Sequence, residues 1–495
     1  MTVLYYILLT TYAIVLIYIT IYCLVQFQLV YHYRKQSNTL DADIPKAALD
    51  ADLPFVTVQL PIYNEQYVIE RLIDCVCKFE YPKDRFEIHI LDDSTDETVE
   101  LVAGKVEHYQ KLGYQIKQVI RENRRGYKAG ALKDAMALAK GEFMAIFDAD
   151  FTPKPEFLRR TIPYFQNEKV GVVQTRWEHI NQGYSLITEL QALQLNVHFT
   201  VEQQGRSAAE HMLQFNGTAG VWRRETIAAA GGWQDDTLTE DLDLSIRAQL
   251  KGWKIRYLEE VSSPAELPAE MNGLKSQQFR WMKGGAETAR KMLPVIWRSD
   301  LSRRMKIQST FHLLASTVFV FVFALGVLSV PLLFALDTLG VDGSIFSFFI
   351  IGTLSIICVY FVANVTNEHT RSSGSLTQRI VKFVFLFPLF LAMSMGLSLH
   401  NTVAVVQGWL GKKSAFIRTP KFNINTLQDS FKHRKYFQSK ISWTTIAEGI
   451  LCLYFIFAIV LGFQLGDTSL ILFHILLAGG YGAIFYYSVK HLNLR

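Results

Sequence analysis

Ala145-Ile146-Phe147-Asp148-Ala149-Asp150 decides how the rest of the chain is read. A run of strand-forming apolar residues ends in two carboxylates at i and i+2, and Pro153 and Pro155 bar the strand from continuing. On an extended chain those two positions point the same way, so Asp148 and Asp150 can converge on one cation just past a strand end. That edge of an α/β sheet is where ligands bind. A hard cation such as Mg2+ needs only one or two carboxylates and fills its other sites with water and substrate phosphate. The stretch therefore points to a nucleotide-diphosphate site, against the plainer reading of Asp-x-Asp as solvated turn chemistry.

Outward from this stretch, short apolar runs alternate with amphipathic ones. Strands are expected over Phe55–Leu60, Phe86–Leu91, Gln115–Ile120 and Phe143–Phe147, with helices to about Lys78, over about 95–112, and from Ala129. Such alternation implies right-handed crossovers and a mostly parallel sheet. Asp92 and Asp93 also fall just after a strand, which reinforces the Asp148/Asp150 reading.

Of 495 residues half are hydrophobic, and they are segregated. Residues 1–31 and 307–490 carry long apolar runs, whereas 34–306 has the mixed composition of a soluble α/β domain. The net charge of +5 leaves no nucleic-acid footprint. Three of the five cysteines, Cys23, Cys358 and Cys452, lie in apolar spans, and Cys75 and Cys77 share a helix on divergent faces, so a disulfide scaffold is not expected.

Two further clusters carry chemistry. Thr239-Glu240-Asp241-Leu242-Asp243 leads into a helix, with Thr239 as its expected N-cap. The acids could merely complement the helix dipole, but Asp241 falls one residue from the apolar stripe, at the core edge, as a general base requires. Downstream, Gln277, Arg280 and Trp281 are i, i+3 and i+4 on one helix face. An amide, a guanidinium and an indole suit a phosphate charge and a sugar ring; the competing reading is a helix lying on the membrane with its Trp at the interface.

These stretches, in this order and spacing, resemble family 2 glycosyltransferases, the membrane synthases that include cellulose and hyaluronan synthases. The similarity covers residues 55–292 and is nearest to the cellulose-synthase-like A and C group. It is carried by Leu91-Asp92-Asp93-Ser94-Thr95-Asp96, Arg125-Gly126-Tyr127-Lys128-Ala129-Gly130-Ala131-Leu132, Phe147-Asp148-Ala149-Asp150-Phe151 and Val173-Gln174-Thr175-Arg176-Trp177. Phe215-Asn216-Gly217-Thr218-Ala219-Gly220-Val221-Trp222, Thr239-Glu240-Asp241 and Gln277-x-x-Arg280-Trp281 complete the set. The resemblance implies a GT-A type α/β domain inserted between an N-terminal transmembrane helix and a C-terminal helical membrane region. It implies that Asp92 and Asp93 hold the nucleoside with Lys128 nearby, that Asp148 and Asp150 bind the diphosphate with Mg2+ or Mn2+, and that Asp241 is the catalytic base. Arg280 would engage the pyrophosphate, and Gln277, Trp281 and Glu240 would face the acceptor. The implied reaction is inverting transfer of a hexose from UDP-glucose or GDP-mannose to a growing β-glycan, a glucan or a mannan.

Residues 3–31 read as a retained signal anchor followed by Arg34 and Lys35, with the N-terminus outside, the catalytic domain cytoplasmic and 36–54 a linker. The catalytic domain is expected over 55–270 and interface helices over 271–306. Spans are expected at about 309–335, 345–365, 445–465 and 469–489. The apolar stretch 380–407 is read as an interfacial or re-entrant helix. As a full span it would place Lys412, Lys413, Arg418, Lys421, Lys432, Arg434, Lys435 and Lys440 outside, against the positive-inside tendency. Five spans result, in a plasma (bacterial inner) membrane or, in a eukaryote, the Golgi. The loop 411–421, with Phe416, Thr419 and Lys421, is similar to the F-x-V-T-x-K gating loop of cellulose synthase, with Arg418 where that pattern has Val. The alternative there is a basic loop on anionic lipid. Two other functions compete with chain elongation and translocation: transfer of a single sugar to a membrane lipid, and an inactive scaffold or transporter.

Overall fold

The computed structural model describes residues 2–36, 50–367, 374–424, 429 and 441–492. Most of the linker expected over 36–54, and Lys432, Arg434, Lys435 and Lys440, lie outside the described residues.

A 35-residue apolar helix, α1 (Thr2–Gln36), precedes the α/β domain and carries Arg34 and Lys35 in its last turn. The first half of that domain alternates as the sequence pattern requires: β1 (Val56–Ile62), α2 (Ile69–Val76), β2 (Phe86–Asp92), α3 (Thr98–Lys111), β3 (Ile116–Ile120), α4 (Tyr127–Ala135) and β4 (Phe143–Ile146). The second half breaks the alternation. After α5 (Phe157–Thr161) and β5 (Val170–His179), α6 (Leu186–Val197) continues through a π-helical segment, His198–Gln204, into α7 (Gly205–Ala208). Then come β6 (Gly220–Arg223), α8 (Arg224–Ala229), α9 (Glu240–Leu250) and β7 (Lys254–Ala265).

The seven strands form one sheet in the order β3-β2-β1-β4-β6-β5-β7. Only β6 runs against its neighbours, β4 and β5, so the sheet is mostly parallel. Strand order reverses direction between β1 and β4, which opens a crevice beyond their carboxyl ends. β1, β2 and β4 are buried along nearly their whole length, as helices on both faces demand. Phe147, Phe157, Val58, Ile88 and Ile90 form the core on one side of the sheet; Leu132, Met144, Trp222 and Trp233 form it on the other.

The helical region comprises α10 (Met271–Arg298), α11 (Arg303–Leu313), α12 (Val318–Leu339), α13 (Ile350–Phe361), α14 (Leu376–Gly396), α15 (Ser398–Trp409), α16 (Trp443–Leu465) and α17 (Ile471–Lys490). Six helical segments among the described residues are long and apolar enough to cross a membrane: 2–35, 315–339, 346–366, 376–396, 443–465 and 471–490. The expected single helix over 380–407 is therefore corrected to two, α14 and α15, broken at Leu397. α14 meets the composition of a sixth span. Its first turns are nevertheless tied to the α/β domain, where Lys382 pairs with Glu189 at 2.7 Å. Two residues into α15, His400 bonds the Lys275 carbonyl of α10 at 2.9 Å. α15 then packs along α10 so closely that a Cβ on Gly408 would lie 2.6 Å from the Lys283 carbonyl oxygen. The five cysteines are all free.

Candidate active site

One cavity lies at the switch point. Its walls include Tyr63 and Glu65 after β1, Asp93 after β2, Lys128 on α4, Asp148 and Asp150 after β4, and Asn216 and Gly217 before β6. Glu240 and Asp241 at the start of α9 and Gln277, Arg280 and Trp281 on α10 close another side, and Phe416, Arg418, Thr419 and Lys421 cover it. Asp92 is absent from that lining: it is buried and spends its carboxylate on the Ser94 N–H at 2.8 Å and the Gln118 amide at 2.7 Å. The expected Asp92/Asp93 pair thus divides, because successive residues leave a strand on opposite faces. Asp92 braces the turn, and Asp93 faces the cavity.

Each acid after a strand is already matched by a cation. Arg121 grips Asp93 with two donors, at 2.5 and 2.9 Å. Lys128 Nζ lies 2.5 Å from Asp148 Oδ1 and donates to the Gly217 carbonyl at 2.8 Å. Lys421 Nζ lies 2.6 Å from Asp150 Oδ2. Burial alone would lower the Lys128 pKa, but Asp148 and Glu240 outweigh it and hold the amine firmly charged.

Glu240 and Asp241 are different. Neither makes an ion pair among the described residues, and burial raises both pKa values. For Asp241 the neighbouring Glu240 charge raises it further, against Lys128 and the Leu242 N–H, which donates to Oδ1 at 2.8 Å. Oδ2 is left facing Gly217, where an added Cβ would approach it to 2.9 Å. Gly217 also holds φ +79°, so both backbone and space there require glycine. Asn64, Tyr127 and Ala219, which flank the cavity walls, are non-glycine residues at positive φ, the kind of local strain that packed sites sustain.

Thr239 does not cap α9 with its side chain, as the sequence suggested; its hydroxyl meets that of Thr288 on α10 at 3.1 Å. Gly284 permits this contact, since a Cβ there would strike Thr239 at 2.6 Å. Leu238 N–H donates to Glu287 at 2.8 Å. These contacts set Asp241 in register with Arg280 and Trp281. The expected shared face of Gln277, Arg280 and Trp281 is the face of α10 that borders the cavity.

The loop 411–421 lies over the opening. Arg280 donates to Thr419 Oγ1 at 2.8 Å and stands 4.6 Å from the Phe416 ring centroid, and Phe416 stacks on Tyr127 at 5.8 Å. Arg418, the departure from the familiar loop pattern, pairs with Glu65 at 2.6 Å. Glu65 and Glu266 were not singled out in the sequence. Burial pushes Glu65 up to about 7 despite Arg418, and Glu266 accepts the Phe422 N–H at 2.9 Å. Single acids in loops carry no periodicity, so only their burial reveals them.

Among the described residues no group of three or more His, Cys, Asp or Glu forms a closed metal cage. Asp148 and Asp150 on one cavity still fit an octahedral oxygen-seeking cation, which takes few protein ligands. Lys128 and Lys421 each occupy one oxygen of these carboxylates, positions that a cation would share or take over.

Residues 54–284 match the family model described as glycosyltransferase like family 2. Glucomannan 4-beta-mannosyltransferase 1 of Oryza sativa subsp. japonica is 38% identical over 398 residues, which are 78% of this chain and 73% of that protein. The chain belongs to glycosyltransferase family 2. Glucomannan 4-beta-mannosyltransferase 7 of Arabidopsis thaliana is 46% identical over 255 residues, 50% of this chain and 46% of that protein. The chain spans about half the length of most of the curated relatives it matches. Among solved structures, the mannosyltransferase PcManGT from Pyrobaculum calidifontis, in complex with GDP-Man and Mn2+, aligns with TM-score 0.53 and 20% identity over 80% of this chain and all of that one. That likeness is one of fold.

Proposed function

We propose that this chain is a membrane β-glycan synthase that transfers a hexose, mannose foremost, from a nucleoside-diphosphate sugar to the end of a growing glucomannan-type chain. The observation that carries the reading is Asp241: an acid with no ion pair among the described residues, its pKa raised, in one cavity with Asp93, Asp148, Asp150, Arg280 and Trp281. The relatives named as glucomannan mannosyltransferases, and PcManGT with its GDP-Man, support mannose and guanosine over glucose and uridine.

In this reading the acceptor hydroxyl attacks the anomeric carbon from the face opposite the diphosphate. The new C–O bond forms as the bond from that carbon to phosphate oxygen breaks, the nucleoside diphosphate departs, and Asp241 takes the hydroxyl proton. The configuration inverts. Lys128 and Arg280 hold the diphosphate, and Trp281 supports the acceptor ring. Asp148 and Asp150 would hold Mg2+ or Mn2+, which supplies charge neutralisation to the leaving group. The α/β domain faces the cytoplasm, where nucleotide sugars are made, and the glycan leaves past α10 and α15 through the membrane helices.

Incubating the purified protein in lipid with GDP-mannose or UDP-glucose and Mn2+, then digesting the product with linkage-specific glycanases, tests the proposal. A β-1,4-mannanase-sensitive polymer is expected. A product consisting of one sugar on a lipid would replace elongation by glycolipid synthesis.

A further inference from the structure

Three arginines follow β3, and their surroundings separate them. Arg121 is fully used: it donates to Asp93, Asp134 and the carbonyls of Arg125 and Tyr127. Arg125 is exposed and lines no part of the catalytic cavity. Arg124 lines the cavity, yet its guanidinium donates no hydrogen bond to any described residue. It is held instead by rings. Its central carbon lies 3.4 Å from the centroid of Tyr63 and 5.0 Å from that of Tyr127. Stacking fixes the plane of the fork and leaves its N–H edge free, an arrangement that costs little further side-chain entropy when a ligand arrives.

The place of this fork limits what it meets. Arg124 shares its end of the cavity with Pro61, Ile62, Tyr63, Leu91 and Asp93, at the carboxyl ends of β1 and β2. In the reading above Asp148, Asp150 and Arg280 hold the diphosphate; they line the same cavity from the end of β4 and from α10, and β1 separates β4 from β2 in the sheet. The group that reaches the β1–β2 end is therefore the nucleobase. A planar fork with two parallel donors matches two adjacent acceptors in one plane. Guanine offers such a pair in O6 and N7. Uracil does not, because its two carbonyls flank an N–H donor, and adenine presents an amine donor beside N7.

We propose that Arg124, preset by Tyr63, reads the O6/N7 edge of a guanine base and so selects guanosine-diphosphate sugars. The assignment rests on the donor-sugar reading above and adds a residue and an edge to it.

The test measures affinities of the full-length protein in lipid for GDP, inosine diphosphate, 7-deaza-GDP and UDP, with wild type, Arg124→Lys and Arg124→Met. Inosine diphosphate keeps O6 and N7, whereas 7-deaza-GDP lacks the N7 acceptor. Expected are losses on the order of ten- to hundredfold for GDP and inosine diphosphate in both variants, with UDP changed less than about twofold. 7-Deaza-GDP, which keeps only O6, should bind wild type more weakly than GDP and lose less than GDP does on either substitution. Because Lys keeps the charge without the fork, an Arg124→Lys protein that retains GDP affinity marks a phosphate contact and overturns the proposal, as does an equal loss for all four nucleotides or no loss for any. If wild type binds UDP in preference to GDP, the donor reading itself fails. If wild type prefers GDP and both variants keep that preference, the Arg124 assignment alone fails.

Discussion

Lys421 Nζ lies 2.6 Å from Asp150 Oδ2, across 271 residues of sequence. The contact joins the loop after α15 to the carboxylate pair after β4. The same ammonium donates to the Glu266 carbonyl at 3.2 Å, so it is anchored on both sides. A cation bound by Asp150 must share that oxygen with Lys421 or displace it. Lys421→Met should therefore lower the Mn2+ concentration needed for half-maximal nucleotide binding several-fold. Titrating nucleotide binding against Mn2+ for both proteins checks this, and an unchanged or higher requirement would count against the competition.

The loop of Gly217 gives a second outcome. Gly217→Ala asks an L-residue to adopt φ +79° and sets a methyl 2.9 Å from Asp241 Oδ2 and 3.5 Å from Lys128 Nζ. The left-handed backbone costs roughly 1–2 kcal/mol, too little to unfold a typical domain. Turnover should fall by at least tenfold while the far-UV spectrum and thermal midpoint change little. A fully active variant would show that Oδ2 does not need its open side.

Burial and Glu240 raise the Asp241 pKa to about 7. A base must be deprotonated to act, and a raised carboxyl pKa keeps it neutral until the pH passes that value. kcat/KM should therefore climb as pH rises through about 7 and level off above it, the reverse of an enzyme limited by a cationic acid. A flat profile from pH 5.5 to 8.5 would remove Asp241 from the rate-limiting proton transfer.

Trp281 and the acceptor can be separated from the donor by kinetics. Trp281→Ala should weaken acceptor use by about 0.5–1.5 kcal/mol, the worth of an aromatic face, and shorten the product, while leaving nucleotide affinity unchanged. Trp281→Phe should recover part of the loss. Size-resolved product and nucleotide binding, measured on the same preparations, decide the matter.

The sequence showed the first half of the sheet and the acids at its strand ends, because βαβ alternation and abrupt apolar-to-acidic junctions are local signals. β5 and β6 were legible as motifs and not as strands, and β7 was not singled out at all. β6 has four residues and runs antiparallel, and the β5–β7 pairing carries register shifts near Val170 and Thr175. Asp92 and Asp93 look alike in sequence, and only the pleat separates the turn brace from the cavity acid. Thr239 looked like a cap because its neighbours did; its hydroxyl was drawn to Thr288 by a helix 49 residues away. Gly396 stands at the break between α14 and α15, and a Cβ there would lie 2.5 Å from the Gly480 carbonyl of α17, so a lone glycine in an apolar run marked a division that tertiary packing makes.

The account stands on Asp241 acting as the base in a cavity that binds the donor without its help. The most direct measurement compares Asp241→Asn with wild type in one lipid preparation, reading GDP affinity and mannosyl transfer together. Nucleotide affinity within about threefold of wild type, with transfer reduced by roughly 10²–10⁴, is the predicted result. Transfer near the wild-type rate would contradict it.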